Sequence, residues 1–419
     1  MYYESILQDS IRATVTFTDT GGSVDETTTM EGLPIVGQEN VQIQVRVNND
    51  NELKMTLYVN SVTPLVEDAQ KSIVQLDLAS KEFIMNEKVR INKRFNGKIS
   101  DHVKKILEES IYLATEKEID VEETSNEQNY IGNNKKPFYI INWLSRGAVS
   151  QDSSLGNTAG YFFWETSEKF YFKSIDRLMD TETNKPKKSY LYNETPDKDG
   201  SNLPPQYDDK ALEYNVNNKV NIQDKLKMGA YSTRIIMFDP YTTKYEVVNP
   251  NAGNSKGAPS GKGNEKDLKL AGKNLPVLNK EFNKEEPGKE FSRTTFMVLD
   301  KGALVSGSGT GQKQEQIEKS KEENYEPGVV LNQGIQRMNQ LFALETSITI
   351  PGDFSLHAGD AIYVDAPELK EDKKDMEVNK QTGGNYIIAD VCHYLSAKHT
   401  LTKLNLIRDS FGRKPKQRG

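Results

Sequence analysis

The chain has 419 residues, with 35% hydrophobic and 27% charged side chains, a formal net charge of -7 and a mean hydropathy of -0.69. This length has room for roughly three domains of about 150 residues. The apolar content is low for an enzyme of this size that folds alone, so loops or partner subunits are expected. The acidic balance gives no reason to expect nonspecific binding to DNA or acidic membranes.

The single cysteine, Cys392, excludes an intrachain disulfide and favours synthesis in a reducing compartment. The first residues, MYYESILQDSIRATV, lack a basic region followed by an apolar run, so a signal peptide is not expected. The densest apolar stretch, 138–144, is too short to span a bilayer. We therefore expect a soluble chain.

Alternating apolar residues predict β-structure between residues 10 and 95. The predicted strands cover 11–17, 41–47, 53–59 and 72–79, and the predicted turns cover 18–22 and 48–51. An amphipathic helix is predicted over 100–115, with Ser100 or Asp101 as its cap.

The middle of the chain alternates between polar and apolar segments. Residues 116–134 are polar and acidic and are predicted to be a linker, and residues 180–210 are predicted to be a loop. Pro137 at a first helical position and Gly147 as a stop predict a short helix between them.

An aromatic run, YFFWETSEKFYF at 161–172, has seven aromatic residues in twelve positions and predicts a hairpin that turns at 166–169. Tyr161 and Phe163 share one face of the first strand, and Phe162 and Trp164 share the other. A surface that stacks sugars or bases would alternate aromatic with polar residues, whereas a strand that is aromatic on both faces must be covered on both. The hairpin is therefore predicted to be core. The preceding helix offers apolar cover for one face, namely Phe138, Ile141, Trp143 and Leu144.

The C-terminal half is predicted to be β-structure interrupted by long loops. The clearest strand of 212–248 is 234–238. Gly, Lys, Asn, Ser and Glu dominate 249–328, which predicts flexible loops with one ordered strand at 291–299. A helix at 333–342 and a basic tail at 413–419 flank four further predicted strands, at 346–350, 361–364, 386–393 and 401–408.

Motifs for catalysis, cofactors and metals are missing or weak. The Gly-Lys pairs lack the earlier glycine of a phosphate-binding loop, and the glycine-rich stretch around Ser308, at 307–311, precedes a Lys/Gln/Glu run. Cys392 and His393 are neighbours in a predicted strand, so they point to opposite faces and cannot join His399 around one ion. His102 and His357 have no ligand-like spacing. No catalytic, cofactor-binding or metal residue is predicted.

Two carboxylates flank the aromatic turn, Glu165 and Glu168. Paired carboxylates beside aromatic platforms would fit a glycosidase. The preferred interpretation is that both are solvated turn residues that keep the hairpin soluble.

Several segments together resemble central baseplate hub proteins of contractile-tailed phages of the T-even kind. KPFYIINWLSRGA and GYFFWETSEKFYFKSIDRLM resemble the family's helix-plus-hairpin segment. LPIVGQENVQIQV and FIMNEKVRINKRFNGKISDHVKKIL resemble its first tube domain and closing helix. MGAYSTRIIMFDPYTTKY resembles the entry to a second tube domain, and GDAIYVDAP, GNYIIADVCHYL and TLTKLNLIRDS resemble its closing strands.

The resemblance implies a mainly β fold with α+β parts, in which two similar β-barrel tube domains accompany a helix-and-hairpin outer domain and long loops. The implied ranges are 1–115 for the first tube domain, 116–210 for the outer domain, 211–248 with 331–412 for the second tube domain, 249–330 for a flexible insertion and 413–419 for the tail.

The resemblance also implies a function and partners. The family forms a homotrimeric ring that adapts a sixfold tail tube to a threefold spike, and related hub-spike proteins serve type VI secretion. The implied partners are the spike protein, tail tube or tube-initiator proteins and baseplate wedge proteins. The genome would pass through the lumen without specific binding. The implied location is the virion baseplate after assembly in the host cytoplasm, without membrane insertion.

Two other functions stay open from the sequence. A tail-associated cell-wall hydrolase would need an acid/base pair, and a carbohydrate-binding tail protein would need exposed aromatic rings. A non-enzymatic structural hub is the leading hypothesis.

Overall fold

The computed structural model describes most of the chain between residues 1 and 409. The ranges outside the description are 23, 25–26, 34, 47–51, 69, 156–157, 193–208, 217–221, 230–232, 249–292, 305–309, 323–326, 343, 366–381 and 410–419.

The described chain is mainly β, with twenty strands in four sheets. The strands are β1 (Tyr2–Ser5), β2 (Arg12–Asp19), β3 (Asn40–Arg46), β4 (Glu52–Glu67), β5 (Ser72–Ala79), β6 (Arg94–Phe95), β7 (Glu118–Val121), β8 (Tyr130–Ile131), β9 (Tyr161–Glu165), β10 (Lys169–Ser174), β11 (Ser189–Tyr192), β12 (Lys210–Ala211), β13 (Glu213–Val216), β14 (Thr233–Asp239), β15 (Lys244–Val248), β16 (Arg293–Val298), β17 (Leu344–Pro351), β18 (Ala361–Asp365), β19 (Gly384–Leu395) and β20 (Thr400–Arg408).

Eight helices are described, and none of these is both long and apolar enough to cross a membrane. They are α1 (Thr29–Gly32), α2 (Lys81–Lys88), α3 (Ile99–Glu108), α4 (Pro137–Ser145), α5 (Ile175–Met179), α6 (Ile222–Met228), α7 (Thr310–Ser320) and α8 (Pro327–Leu341).

The largest sheet has twelve strands and joins the two ends of the described chain. Its N-terminal half runs β1-β2-β5-β4-β3, and its C-terminal half contains β11, β12, β13 and β17 to β20. The halves meet where β1 pairs antiparallel with β19, with Tyr2 opposite His393. All strands predicted in these halves are confirmed, whereas β1, β11 and β12 were not predicted. The loop predicted at 180–210 is wrong over β11, which pairs with β18.

Each half buries one side of its strands, and the hairpin also covers part of the other side of β19 and β20. In the N-terminal half the alternating residues of β2, β4 and β5 form a core that includes Leu57, Val59 and Leu78. In the C-terminal half the inner residues of β17 to β20 form a second core with Tyr190 of β11. The period-2 pattern therefore selects the buried side in both halves.

No sheet closes into a barrel among the described residues. The C-terminal half has the order β11-β18-β19-β20-β17, in which β12 pairs with the first of these strands and β13 with the last. Leu212 alone separates β12 from β13, and its backbone N–H donates to Thr349. The predicted pair of similar barrels stays a prediction.

The aromatic hairpin, β9 and β10, is buried on both faces as predicted. Tyr161, Phe163, Phe170 and Phe172 pack in one core with α3 and α4. The other face meets the C-terminal half of the large sheet. It is formed by Phe162 and Trp164, which pack with Ile387, Ala389 and Ile407. The predicted turn is confirmed, since the Thr166 N–H donates to the Lys169 carbonyl.

Two predictions around the hairpin are wrong. The linker predicted at 116–134 contains β7, which adds a parallel strand to β10, and β8. β7 reads as polar because Glu118 and Asp120 pair with Lys169 and Lys173, while Ile119 and Val121 pack against the core. The helix predicted at 100–115 forms over Ile99–Glu108, so its predicted end is wrong, and it packs in the hairpin core.

A three-stranded sheet, β15-β14-β16, packs on α8 through Ile235, Met237 and Leu331. The predicted strands at 234–238 and 291–299 are confirmed as β14 and β16. The flexible loop predicted at 301–328 is wrong over α7, where helix-forming Gln, Lys and Glu include a Glu315–Lys319 ion pair. The other long loop, at 249–292, and the basic tail lie outside the described residues.

Replacing Trp164 by alanine should lower the free energy of unfolding by about 3–5 kcal/mol, because a buried aromatic ring leaves a cavity. Trp164 is 1% exposed and its indole N–H donates to the Ala358 carbonyl. Urea denaturation measures the loss. The matched control, Tyr245→Ala, removes a ring that is 74% exposed and should change the stability by less than about 0.5 kcal/mol. Equal effects of the two substitutions would contradict the core assignment.

Candidate functional site

One side of the large sheet is lined by polar residues from β3 to β13, and we call it the polar face. Its members point away from the cores that contain Leu57 and Tyr190 and are exposed or half-buried. On β19 and β20 the same side also carries Ile387 and Ile407, which the hairpin covers. They are Tyr3, Arg12, Thr14, Thr16, Thr18, Gln42, Gln44, Lys54, Thr56, Ser61, Thr63, Gln75, Asp77, Glu213, Asn215, Thr349, Asp390, Cys392, Lys403 and Asn405.

Strand register places these residues side by side. In the N-terminal half, Asp77 of β5 lies between Thr14 of β2 and Ser61 of β4. A bulge in β4 between Val59 and Ser61 shifts the alternation by one residue, so that Ser61 and Thr63 follow Lys54 and Thr56 on this side. Because side chains alternate along each strand, the same register buries the intervening residues.

The polar face crosses the joint between the two halves. Tyr3 of β1 lies opposite Arg12 of β2 on one side and Cys392 of β19 on the other. From β19 the face continues through Lys403 of β20 to Thr349 of β17. The two halves therefore share one uninterrupted polar surface.

Carboxylates on the polar face are bound by neutral donors. Asp77 accepts hydrogen bonds from Thr14 at 3.1 Å, Ser61 at 2.9 Å and Gln75 at 3.2 Å. These hydroxyl and amide donors satisfy the negative charge without adding a positive one.

The same arrangement recurs in the C-terminal half. Asp390 accepts from the Tyr3 hydroxyl at 3.0 Å and from the Asn405 amide at 2.8 Å. Burial and the neighbouring Asp390 carboxylate raise the pKa of Tyr3 to about 12. Tyr3 therefore stays protonated, and this part of the polar face keeps its hydrogen-bonding pattern across neutral pH.

Beneath the sheet, a buried carboxylate joins the hairpin turn to β1. Glu4 accepts hydrogen bonds from the Tyr2 hydroxyl at 2.5 Å and the backbone N–H groups of Ser167 and Ala358 at 3.0 and 3.1 Å. His357 Nδ1 lies 3.1 Å from Glu4 Oε1. Burial favours the neutral carboxyl, but the His357 charge and these bonds hold the pKa of Glu4 below its usual value.

Glu165 corrects the prediction of two solvated carboxylates. Its side chain is fully buried and accepts from Ile11 N–H at 3.0 Å, Ser80 Oγ at 2.8 Å and Lys117 Nζ at 2.7 Å. Burial raises the pKa of Glu165 to about 7, against the lowering effect of Lys117. Such a pKa is typical of a general acid, but no substrate can reach a side chain that is 0% exposed. Glu168 is exposed as predicted.

The four histidines and Cys392 form no metal-ligand cluster in the described parts of the chain. Cys392 and His393 point to opposite faces as predicted, and His393 packs between Tyr2 and Phe354. Burial lowers the pKa of His393 to about 4, so it is neutral at neutral pH. The parts of the chain that the structure describes contain no group of three or more potential metal ligands. Residues 307–309 of the glycine-rich stretch lie outside them.

Two residues of the junction were missed by sequence reasoning, Glu4 and His357. They are 353 positions apart and meet only because β1 pairs with β19. One signal was available: Glu4 directly follows two aromatic residues, and its carboxylate requires a buried partner if this segment is an internal strand.

No protein-family model and no curated protein sequence matches the chain. Among solved structures, the chain is similar to the 43 kDa tail protein of prophage MuSo2 from Shewanella oneidensis, at 8% identity over 97% of this chain and 92% of that chain, with a TM-score of 0.45. It is similar to a tail protein from Neisseria meningitidis MC58, at 9% identity over 97% and 91%, with a TM-score of 0.48.

A third similar structure is the E. coli c3393 protein, a component of the type VI secretion system, at 10% identity over 99% of this chain and 75% of that chain, with a TM-score of 0.46. The structural neighbours are thus phage tail proteins and type VI secretion proteins, the classes to which the sequence resemblance pointed. With TM-scores below 0.5 the likeness does not define the function, which is argued below from this chain's own residues.

Replacing Glu165 by glutamine should flatten the dependence of stability on pH. The folded pKa of about 7 lies above the ordinary value of 4.5, so ionising this group costs stability as the pH rises between these values. The difference corresponds to about 3 kcal/mol. Denaturant unfolding of both proteins at about pH 5 and about pH 8 measures the change. Glu168→Gln, at an exposed neighbour, should retain the wild-type dependence, and a Glu165→Gln curve parallel to wild type would contradict the assignment.

Proposed function

We propose that the protein is a structural hub of a phage tail baseplate, in which the polar face lines a channel for DNA. The observation that carries this proposal is the continuity of the polar face across both halves of the sheet through the β1–β19 joint. The sequence resemblance supplies the family, and this surface supplies the physical reason why such a chain can form part of a tube wall.

The two halves provide the repeat that a ring needs. We propose that each half is one tube domain, and that β11, β12, β13 and β17 to β20 form the second as a nearly closed barrel around the core that contains Tyr190. Three chains with two such domains each present six similar surfaces, which is what joining a threefold spike to a sixfold tube requires.

The composition of the polar face suits passage of a polyanion. Affinity for DNA depends on cations that neutralise phosphates and release counterions. Here the carboxylates Asp77, Asp390 and Glu213 interrupt the few cations, and neutral Thr, Ser, Gln and Asn fill the space between. Such a wall hydrates the duplex without retaining it.

The other surfaces of the ring bind partner proteins. The hairpin domain stays outside the ring and faces the baseplate wedge proteins. The spike protein binds one end of the ring and the tail tube or tube-initiator proteins bind the other. The ring belongs to the virion baseplate and assembles in the host cytoplasm. Three parts of the chain lie outside the proposed tube domains. They are the hairpin domain, the insertion at 249–330 and the basic tail at 413–419.

Neither enzymatic nor sugar-binding activity gains support from the geometry. Glu165 is enclosed, and the aromatic rings of the hairpin that could stack on a sugar are core residues. Purified protein should therefore release no soluble fragments from cell walls in a muralytic assay. Release at an enzymatic rate, abolished by Glu165→Gln, would replace the hub proposal with a hydrolase.

Light scattering tests the assembly directly. Purified protein should have the mass of three chains, or should form a particle of three chains plus the spike once the spike protein is added, because association covers sheet edges and the small cores. A mass of one chain across micromolar concentrations, with and without the spike, would contradict the hub.

Spin labels test which side of the sheet faces the axis. In a threefold ring, three identical labels lie closer together the nearer they are to the axis. After Cys392→Ser removes the native thiol, labels at Thr16→Cys on the polar face should be closer to each other than labels at Tyr139→Cys on α4. Dipolar spectroscopy of the trimer measures both distances. The opposite order would place the polar face outside the ring.

A further inference from the structure

Three separate parts of the chain meet at the Glu4–His357 pair. Glu4 belongs to β1, His357 to the loop between β17 and β18, and Ser167 to the turn of the aromatic hairpin. The side chains of Glu4 and His357 are 0% and 11% exposed. A contact between these two residues therefore helps to hold the hairpin turn on the sheet.

The carboxylate of Glu4 holds both other parts by their backbones. Oε1 accepts from Ser167 N–H, and Oε2 accepts from Ala358 N–H. His357 Nδ1 lies 3.1 and 3.2 Å from the two oxygens and donates its N–H to them. Ala358 also accepts the indole N–H of Trp164, so the same loop anchors the buried side of the hairpin.

The charged groups around His357 come from every element packed against it. Glu4 lies on β1, and Glu168 lies on the hairpin turn, with Oε1 3.8 Å from Nε2. Asp360 of the same loop accepts the His357 backbone N–H and pairs with Lys187 at 2.7 Å. His393 of β19 is neutral at neutral pH. Carboxylates thus dominate the surroundings of the imidazole.

We propose that this cluster is a proton-operated latch, in which protonated His357 holds the hairpin turn on the sheet and loss of its proton opens the contact. A buried carboxylate needs a counter-charge, and one that loses it must regain water or be released. The hairpin turn at 166–169 is the part that can move, because the Ser167 N–H joins it to Glu4. The strands of the hairpin and of the large sheet keep their own pairing when this bond opens.

The direction of the pH effect follows from the two groups. Glu4 raises the pKa of His357 above 6.5 despite the opposing effect of burial, so this stabilising contribution is complete below 6.5 and lost as the pH rises through the folded value. The pKa of Glu4 is lowered in the folded protein. The stability that ionised Glu4 contributes is therefore complete above pH 4.5 and is lost as the pH falls through the folded pKa. The latch is strongest between these two limits.

Hydrogen exchange of the full-length protein tests the latch. The protection factors of the Ser167 and Ala358 amides should fall between about pH 6 and about pH 9, by about tenfold for each unit by which the folded pKa of His357 exceeds 6.5. The Val59 amide, which donates to Glu39 in the N-terminal half, serves as the reference within the same molecule. Its protection factor should fall by no more than the ionisation of Glu165 lowers the stability of the whole chain, so a larger fall at Ser167 reports the latch.

Two substitutions separate the latch from a general loss of stability. His357→Gln keeps a donor beside Glu4 but cannot titrate, and Glu4→Gln removes the charge that needs compensation. In both proteins the protection of Ser167 should become independent of pH, even if its absolute value drops. The matched control His102→Gln, at a buried histidine that bonds Gln128, should retain the wild-type pH dependence.

Three results would overturn the proposal. One is a constant Ser167 protection factor in the wild type across this pH range. Another is an undiminished pH dependence in His357→Gln. The third is an equal fall at Val59, which would show that the whole chain opens instead of the hairpin turn.

Discussion

The large sheet depends on the pairing of β1 with β19. Four residues near one end of the described chain bind 390–393 near the other, and in the observed strand order this is where the two halves connect. The pairing makes the polar face continuous and stacks Tyr2 on His393 below it. A contact between such distant segments has a high entropic cost of closure, which the burial of Tyr2 and Ile6 helps to offset.

The charge of Glu4 explains why this short strand has one register. A slip by a single residue would exchange the faces of β1, which would turn Glu4 outward and Tyr3 inward. Tyr2, His357 and the two backbone donors would then lose their acceptor. Buried ion pairs contribute little net stability but can select one arrangement over its neighbours, and here the selected arrangement aligns the two halves.

The sequence predicts the strands whose faces differ most in polarity. β2, β3, β4 and β5 alternate clearly, β19 is apolar on both sides over residues 386–389, and the hairpin is predicted to be core because both of its faces are aromatic. β1 and β7 are not predictable in this way, since each is four residues long and carries acidic residues whose partners are remote, namely His357 for Glu4 and Lys173 for Asp120. Glu165 was misread because a turn position predicts exposure, whereas Lys117 and Ser80 arrive from elsewhere in the chain.

The hairpin packs on one part of the sheet and leaves the rest of the polar face uncovered. Its inner aromatics bind the helices of its own core, and its outer pair, Phe162 and Trp164, binds the C-terminal half of the sheet. Gly359 permits this close approach, because a Cβ there would lie 2.6 Å from the Trp164 ring and its φ of +92° disfavours other residues. Phe162 and Trp164 cover Ile387, Ala389 and Ile407, and the polar face of β19 and β20 begins beyond this contact, at Asp390 and Asn405. A proposed channel wall needs this separation, since residues selected for weak contact with DNA cannot also hold the fold together.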